Sequence, residues 1–106
     1  MNIASAYAKD RSLRIDRSFE FNDDSVVLTD RYTFDGKVDI TERLVTTIKP
    51  QIIYAGRVEI HDAALIYNPL VCDCVINEEP TTTGRTCYMI DFTLRDGETA
   101  FSCEIR

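Results

Sequence analysis

The stretch LRIDRSFEF, residues 13–21, alternates apolar and polar side chains along its length. The apolar residues share one face of an extended chain, and they are Leu13, Ile15, Phe19 and Phe21. The residues of the opposite face are Arg14, Asp16, Ser18 and Glu20. A period of two residues is typical of a β-strand with one buried face. Arg17 interrupts the apolar face, so we expect its side chain to reach solvent or to pair with an acid.

The same alternation continues on the C-terminal side of this strand. A polar turn, Asn22 to Ser25, separates it from a second alternating segment, residues 26–34. Asp35-Gly36 follows, a strong sequence signal for a hairpin, and a third alternating segment covers residues 38–48. We therefore predict that the three long strands pair in order as a meander.

The remainder of the chain predicts shorter strands. Pro50 ends the third strand because proline cannot donate to a sheet ladder. Further strand-like segments cover residues 52–54, 57–61, 63–67, 70–76, 88–94 and 101–105. Eight or nine short strands with frequent turn signals are typical of an antiparallel β-sandwich. We predict an all-β fold with residues 1–106 in a single domain and residues 1–10 as an N-terminal arm.

Charge and hydropathy exclude two classes of partner. The chain has 18 acidic and 12 basic residues, a net charge of −6, and the two signs are interleaved. Binding to a phosphate backbone needs a concentrated positive surface, so we predict no nucleic-acid partner. No apolar run reaches the roughly 18 residues that a transmembrane helix needs, so we predict no membrane partner. The N-terminus also lacks the basic and apolar regions of a signal peptide.

His61 is the only histidine and therefore the first candidate for a general base. It stands at a predicted strand end beside Asp62, with no other residue of a catalytic type close in sequence. We predict that it is an ordinary surface or turn histidine. Nucleophile-elbow, phosphate-loop and dinucleotide motifs are absent from the sequence. We accordingly assign no catalytic, cofactor-binding or metal-binding residue and expect no cofactor.

The four cysteines leave three alternatives open. Cys72 and Cys74 share one face of a predicted strand, and Cys87 and Cys103 could complete a four-thiolate zinc site. A disulfide from Cys72 or Cys74 to a neighbouring strand is the second alternative. Free thiols are the third and the one we predict, because the C-x-C spacing within a strand differs from a zinc knuckle. Cys103 lies on an apolar face and is expected in the core.

Tyrosines are candidates for stacking on a sugar ring. Tyr32 and Tyr88 lie on apolar faces of long strands, which predicts core positions. Tyr54 and Tyr67 flank shorter strands, which predicts partial exposure. An exposed Tyr54, Tyr67 or Tyr88 would suit a carbohydrate-binding module.

The shorter strands carry apolar residues on both faces. The adjacent pairs are Ile52 with Ile53, Leu65 with Ile66, and Leu70 with Val71. A two-layer sandwich buries only one face of each strand. We therefore expect an exposed apolar patch around Ile53 and Ile66 that mediates self-association, with the arm near Tyr7 taking part. The alternative is that β-bulges reconcile the two faces.

Several short motifs follow one another in a defined order along the chain. The series begins with Ala6 to Asp10 (AYAKD) and the arginine-bearing strand Leu13 to Arg17 (LRIDR). It continues with Val26 to Tyr32 (VVLTDRY), Thr46-Thr47 before Pro50, and the turn at Gly56 to Val58. These motifs run from Ala6 to Val58, half of the 106 residues. Their order resembles the C-terminal β-sandwich segment of heparinase II/III-like polysaccharide lyases.

The resemblance implies that the chain is a non-catalytic accessory domain of a larger protein. In that family a helical toroid domain precedes the sandwich, and the complete enzyme cleaves uronate-containing polysaccharides, such as glycosaminoglycans, by β-elimination. The implied partners are therefore the parent protein's N-terminal toroid and a polysaccharide, and the implied location is periplasmic or secreted. The family's catalytic residues lie mostly in the helical domain, and none is transferred to this chain. A structural or adhesion-type sandwich remains the alternative to an accessory or carbohydrate-binding domain.

Overall fold

A computed structural model describes residues 2–8, 13–36 and 38–106. These residues form ten strands and no helix that is long and apolar enough to cross a membrane. The strands are β1 (Asn2–Ala8), β2 (Arg14–Phe21), β3 (Val26–Thr33), β4 (Ile40–Thr46), β5 (Gln51–Tyr54), β6 (Arg57–Ile60), β7 (Ala63–Tyr67), β8 (Cys72–Pro80), β9 (Thr86–Leu94) and β10 (Ala100–Ile105).

The strands form two antiparallel sheets, which confirms the predicted all-β sandwich. The four-stranded sheet has the order β1-β4-β9-β8, and the six-stranded sheet has the order β2-β3-β10-β7-β6-β5. Within the predicted arm, Asn2–Ala8 is the edge strand β1 and pairs with β4. The other positions of that arm, 1, 9 and 10, lie outside the described residues, as does Lys37 in the link before the third predicted strand.

The predicted three-strand meander is wrong at its third strand. β2 and β3 form the expected hairpin, closed where the Asn22 amide donates to the Ser25 carbonyl at 2.8 Å. β4, however, joins the other sheet between β1 and β9. Asp35-Gly36 is therefore a corner between sheets, and Gly36 has the positive φ of 76° that such a turn requires.

The core lies between the inner faces of the two sheets. Phe92 of β9 packs its ring against Phe101 of β10 and Tyr67 of β7, each with ring centroids 5.0 Å apart. Leu28 and Leu65 of the larger sheet are also fully enclosed. Burying an aliphatic or aromatic side chain of this size stabilises the fold by about 1.5–3 kcal/mol. These contacts hold β9 over β10 and set the alignment of the two layers.

The larger sheet extends beyond the smaller one, which leaves apolar side chains exposed near both of its edges. At the β2 edge, Phe19 and Phe21 lie on the inner face but are 42% and 77% exposed. The expectation that β2 buries its whole apolar face is therefore wrong at its C-terminal half. At the β5 edge, Ile52, Ile53 and Tyr54 are exposed.

Candidate functional site

His61 lies in the two-residue turn between β6 and β7, as predicted for a turn histidine. It adopts a left-handed backbone conformation with φ of 53°, and its side chain is exposed. Its Nε2 lies 3.4 Å from Oδ2 of Asp62. The surface depression beside it is shallow and is lined also by Lys49 and Glu59. The imidazole therefore lies in solvent beside the likewise exposed carboxylate of Asp62.

Three of the thiols point into the core, two from the smaller sheet and one from the larger, and the fourth lies on the outer face of the smaller sheet. Cys72 and Cys74 point inward from β8, and Cys103 points inward from β10, where it is fully buried as expected. Cys87 lies on the outer face of β9, so the four thiols do not converge. All four cysteines are free thiols, and the described residues hold no cluster of three or more metal-binding side chains.

Burial sets the chemistry of the inward thiols. It raises the pKa of Cys72 to about 12 and the pKa of Cys103 to about 12. Burial also raises the pKa of Cys74 to about 11, although a hydrogen bond with Tyr67 opposes the change. The thiolate is the reactive form of cysteine. These side chains therefore act as small core residues and not as nucleophiles.

The burial of the tyrosines differs from the prediction most clearly at Tyr67. Tyr32 is buried and Tyr54 is exposed, both as predicted. Tyr67 is buried, which contradicts its predicted exposure, because it packs edge-on against Phe92 in the core. Tyr88 is half-buried on the inner face of β9. The side chain of Tyr7 lies outside the described residues. Only Tyr54 offers a largely exposed ring among the described tyrosines.

A charged cluster lies inside the sandwich and joins its two sheets. Arg17 of β2 donates from Nε and Nη2 to the two carboxylate oxygens of Asp30 on β3, at 2.8 and 2.7 Å. Glu42 of β4 approaches from the opposite sheet, with Oε2 3.5 Å from Arg17 Nη2. The Tyr32 hydroxyl donates to Glu42 Oε1. We call these four residues the inner cluster.

Burial separates the protonation states of the two acids of the inner cluster. Burial and a hydrogen bond with Asp30 raise the pKa of Glu42 to about 8. Burial also opposes ionisation of Asp30, but the hydrogen bonds from Arg17 and Glu42 outweigh it and hold the Asp30 pKa below its usual value. Glu42 therefore keeps its proton at neutral pH, which leaves the cluster with one positive and one negative charge. That balance lowers the cost of burying it.

The predicted pairing of Arg17 with an acid is confirmed, but its partners were not identified from the sequence. The sequence did contain a signal for these partners, namely which of the two alternating faces of its strand each acidic residue occupies. Asp30 falls on the face shared by Leu28 and Tyr32, and Glu42 falls on the face shared by Ile40 and Leu44. Each acid therefore occupies a core position of its strand, as Arg17 does. Three charged residues at core positions of neighbouring segments predict a buried network.

A second charged cluster lies on the outer face of the smaller sheet. Arg43 of β4 donates from Nε and Nη2 to the two carboxylate oxygens of Asp91 on β9, at 2.7 and 3.0 Å. Asn77 of β8 donates to Asp91 Oδ2 at 3.0 Å. We call these three residues the outer cluster. It links three adjacent strands and was not anticipated, because polar residues on an outer face carry no sequence signal of pairing.

The two edges of the larger sheet differ in regularity. β2 pairs with β3 in unbroken register over Arg14–Phe21. β5 has only four residues, and a β-bulge interrupts its pairing with β6 between Ile52 and Tyr54. The alternative interpretation of the sequence named such a bulge, but Ile52 and Ile53 both remain 47% exposed beside it. Of the second adjacent pair, Leu65 is buried and Ile66 is half-buried, on a strand that pairs regularly with β6. We define the β5 edge as Ile52, Ile53 and Tyr54.

Comparison with known proteins identified no relative: no family model, no curated protein and no solved structure matches this chain.

Proposed function

We propose that the chain is a non-catalytic β-sandwich domain that packs, through the β5 edge, against the helical domain of a larger heparinase II/III-like polysaccharide lyase. The order of sequence motifs from Ala6 to Val58 supports the choice of lyase family. The apolar surface of the β5 edge supports the docking role. The complete protein would then carry out β-elimination, and this domain would stabilise it.

The observation that carries the docking role is the run of three large exposed side chains on β5. Ile52 and Ile53 are each 47% exposed and Tyr54 is 60% exposed. Ile48, shortly before the strand, is also exposed. An edge strand with contiguous apolar side chains is either an interface or an aggregation site. A covering domain of the same protein would remove that liability.

The use of the charged residues supports a non-catalytic role. Arg17, Asp30 and Glu42 are residue types that catalytic sites employ, yet here they bond to one another inside the core. Arg43 and Asp91 likewise satisfy each other on the outer face. His61 faces solvent in a turn. The same side chains that would supply acid–base chemistry therefore stabilise the fold.

Carbohydrate binding is the second candidate function, favoured by the exposed ring of Tyr54. Its backbone partner across the bulge is Arg57. Aromatic rings stack on the apolar faces of sugars. The net charge of −6 repels polyanionic polymers, which makes this function weaker than docking for uronate substrates.

The first experiment tests for activity and sugar binding in the isolated chain. Incubation with heparin, heparan sulfate and alginate should produce no rise in the ultraviolet absorbance of unsaturated products. A rise that disappears in His61→Ala would contradict the non-catalytic role. Affinity electrophoresis in the same polymers should show no retardation. Retardation that Tyr54→Ala abolishes, and that the control Leu70→Ala preserves, would instead support the carbohydrate-binding function.

The second experiment tests docking in the complete protein. The full reading frame that encodes this chain should include a helical region and should yield a uronate lyase when expressed whole. There, Ile53→Lys should lower the melting temperature more than it does in the isolated chain, because it disrupts an interface. The control Leu70→Lys changes another exposed apolar residue and should have the same small effect in both proteins. A reading frame without a helical region would overturn the proposal.

A further inference from the structure

We propose that two copies of this chain pair through β2, edge to edge and antiparallel, so that their six-stranded sheets join into one continuous sheet. The surface lies at the opposite edge of the sheet from the β5 edge and does not depend on the docking role proposed above. The occupant is a second copy because β2 is complementary to itself in both charge and shape. Three features of the strand carry this inference.

The first feature is the backbone. The Asn22–Ser25 pair that closes the hairpin is hydrogen-bonded, and hydrogen-bonded pairs alternate along an antiparallel ladder. Even-numbered residues of β2 therefore direct their amide and carbonyl groups toward β3. The odd-numbered residues Ile15, Arg17 and Phe19 direct theirs toward the outside. Among the described strands β2 ends the sheet, so these groups face an open edge that can accept a strand.

The second feature is the charge pattern along that edge. A two-fold axis through Arg17 places Arg14 of each copy opposite Glu20 of the other. It also places Ile15 opposite Phe19, so odd residues face odd residues and their backbone groups can bond. The central Arg17 residues face each other, but each is neutralised by Asp30 of its own copy at 2.7 and 2.8 Å. Opposite charges directly across a ladder stabilise pairing.

Neighbouring registers lack this complementarity. A two-fold axis through Ser18 also matches odd residues with odd residues, but it places Asp16 opposite Glu20 of the second copy. Like charges directly opposite each other destabilise a strand pair. An axis through Phe19 places Arg14 opposite the turn of the second copy and beyond its strand. Charge therefore selects the register centred on Arg17.

The third feature is exposed aromatic surface on a regular strand. Phe19 and Phe21 stack with ring centroids 6.2 Å apart, and Phe21 is 77% exposed. The proposed pairing places Ile15 of the second copy beside Phe19, which removes apolar area from water. β2 is regular over eight residues and can pair with a further strand along its length. The bulge in β5 interrupts the backbone groups with which a further strand would pair. Natural sheets protect edges with bulges and short strands, and β2 has neither.

Charge reversal tests the register directly. Sedimentation velocity over a range of concentrations should give the wild-type chain twice the mass of the 12.1 kDa single chain. Arg14→Glu and Glu20→Arg should each weaken self-association by at least about tenfold, because each places like charges across the two-fold axis. The matched controls Arg85→Glu and Glu79→Arg make the same charge changes at exposed positions of the β8–β9 hairpin and should leave the dimer intact.

Mixing the two single variants provides the decisive result. In an equimolar mixture, the acidic side chain introduced by Arg14→Glu faces the basic side chain introduced by Glu20→Arg in the other chain. The residue that each variant retains also faces an opposite charge, since the unchanged Glu20 of the first variant lies across from the unchanged Arg14 of the second. A heterodimer should therefore form with wild-type affinity.

The proposal is overturned if the wild type stays monomeric at millimolar concentration or if neither reversal weakens the dimer. It is also overturned if the mixture fails to recover association. A dimer that only Ile53→Glu disrupts would place self-association at the β5 edge and refute pairing through β2.

Discussion

The inner and outer clusters contain the same arginine–aspartate pair in two different surroundings. In each, the arginine and the aspartate are direct cross-strand neighbours, and two nearly parallel hydrogen bonds of 2.7–3.0 Å join them. Asp30 is 0% exposed and meets groups from the opposite sheet, whereas Asp91 is 8% exposed and meets Asn77 from its own sheet. The inner pair therefore joins layers, and the outer pair joins strands.

The difference shows that geometry alone does not determine what an ion pair contributes. The inner carboxylate, Asp30, has lost its hydration, so it depends on Arg17 and on every neighbouring hydrogen bond, although Arg17 itself is 28% exposed. A pair at the surface keeps part of its hydration, and water replaces a lost partner at small cost. Four comparisons between the clusters test this interpretation.

The largest expected effect follows removal of the acid from each cluster. Asp30→Ala leaves the Arg17 guanidinium, whose side chain is 28% exposed, without its main partner, and the same change in a fully buried pair costs about 3–5 kcal/mol. Glu42 lies 3.5 Å from Arg17 and can lose its proton to replace part of the pairing, so we expect the lower half of that range. Asp91→Ala should cost about 1–2 kcal/mol, because it leaves Arg43 on the outer face of a sheet, where water can replace the lost carboxylate. Urea denaturation of both variants measures the difference.

Equal destabilisation by the two substitutions would show that the surroundings of the two pairs do not determine what they contribute. Two double variants separate the loss of one partner from the loss of the whole pair: Arg17→Met with Asp30→Leu, and Arg43→Met with Asp91→Leu. Replacing a buried pair by apolar residues restores packing and can recover most of the lost stability. The same replacement on the outer face exposes apolar surface, so it should recover less.

The second expected effect is a dependence of stability on pH that comes from Glu42. In the folded chain its pKa is about 8, and in the unfolded chain it returns to near 4.5. Between these values the folded chain binds one proton more than the unfolded chain, so stability falls as pH rises. The slope for one proton is about 1.4 kcal/mol per pH unit. The stabilisation is complete below about pH 4.5 and is lost by about pH 8.

Glu42→Gln isolates this contribution because glutamine has the same shape and cannot ionise. Its amide can donate to Asp30, and its carbonyl can accept from Tyr32. The unfolding free energy of the wild type minus that of the variant should decline from pH 5 to pH 8, measured by urea denaturation at several pH values. A difference that stays flat over this range would show that Glu42 titrates normally and that the inner cluster is more hydrated than described.

Period-two alternation was sufficient to predict the fold class and most strand positions. The β2–β3 hairpin followed from the polar turn at Asn22 to Ser25. The sheet assignment of β4 could not be predicted, because Asp35-Gly36 specifies a sharp turn with positive φ but not which sheet the next strand joins. Asp96-Gly97 is a second corner of this kind, between β9 and β10. Strand pairing depends on contacts distant in sequence, which local patterns do not encode.

Side-chain partners that are distant in sequence were as hard to predict as strand partners, as the two charged clusters show. Arg17 on the apolar face of its strand predicted only that it reaches solvent or pairs with an acid. Asp30 and Glu42 also occupy the apolar faces of their strands, which could have identified them as partners. The elevated pKa of Glu42 required knowledge of the layer opposite β4, which contains β3 and supplies the burial. The outer pair, Arg43 with Asp91, could not be found without the register of β4 against β9.

A smaller effect is expected from the neutral hydrogen-bond donors. Tyr32→Phe removes the hydroxyl that donates to Glu42 and leaves a buried acceptor with one partner fewer, at a cost of about 1–2 kcal/mol. Asn77→Ala removes the amide that donates to Asp91, and water can replace it because Asn77 is exposed. We expect at most about 0.5 kcal/mol there. Thermal denaturation at pH 6 compares the two, and a larger loss in Asn77→Ala would contradict the assigned roles.

The smallest expected effect is the response of the two pairs to salt. At 1 M sodium chloride the screening length falls to about 3 Å, so mobile ions reach charges that water already contacts. The cost of Asp91→Ala should therefore fall by a few tenths of a kcal/mol, about the value of an exposed pair. The cost of Asp30→Ala should stay within about 0.2 kcal/mol of its low-salt value, because no solvent ion reaches a fully enclosed carboxylate. Measuring each variant against the wild type at the same salt concentration cancels the general effect of salt on folding. A fall in the Asp30→Ala cost as large as that of Asp91→Ala would mean that ions enter the inner cluster, and the two pairs would then differ in position but not in environment.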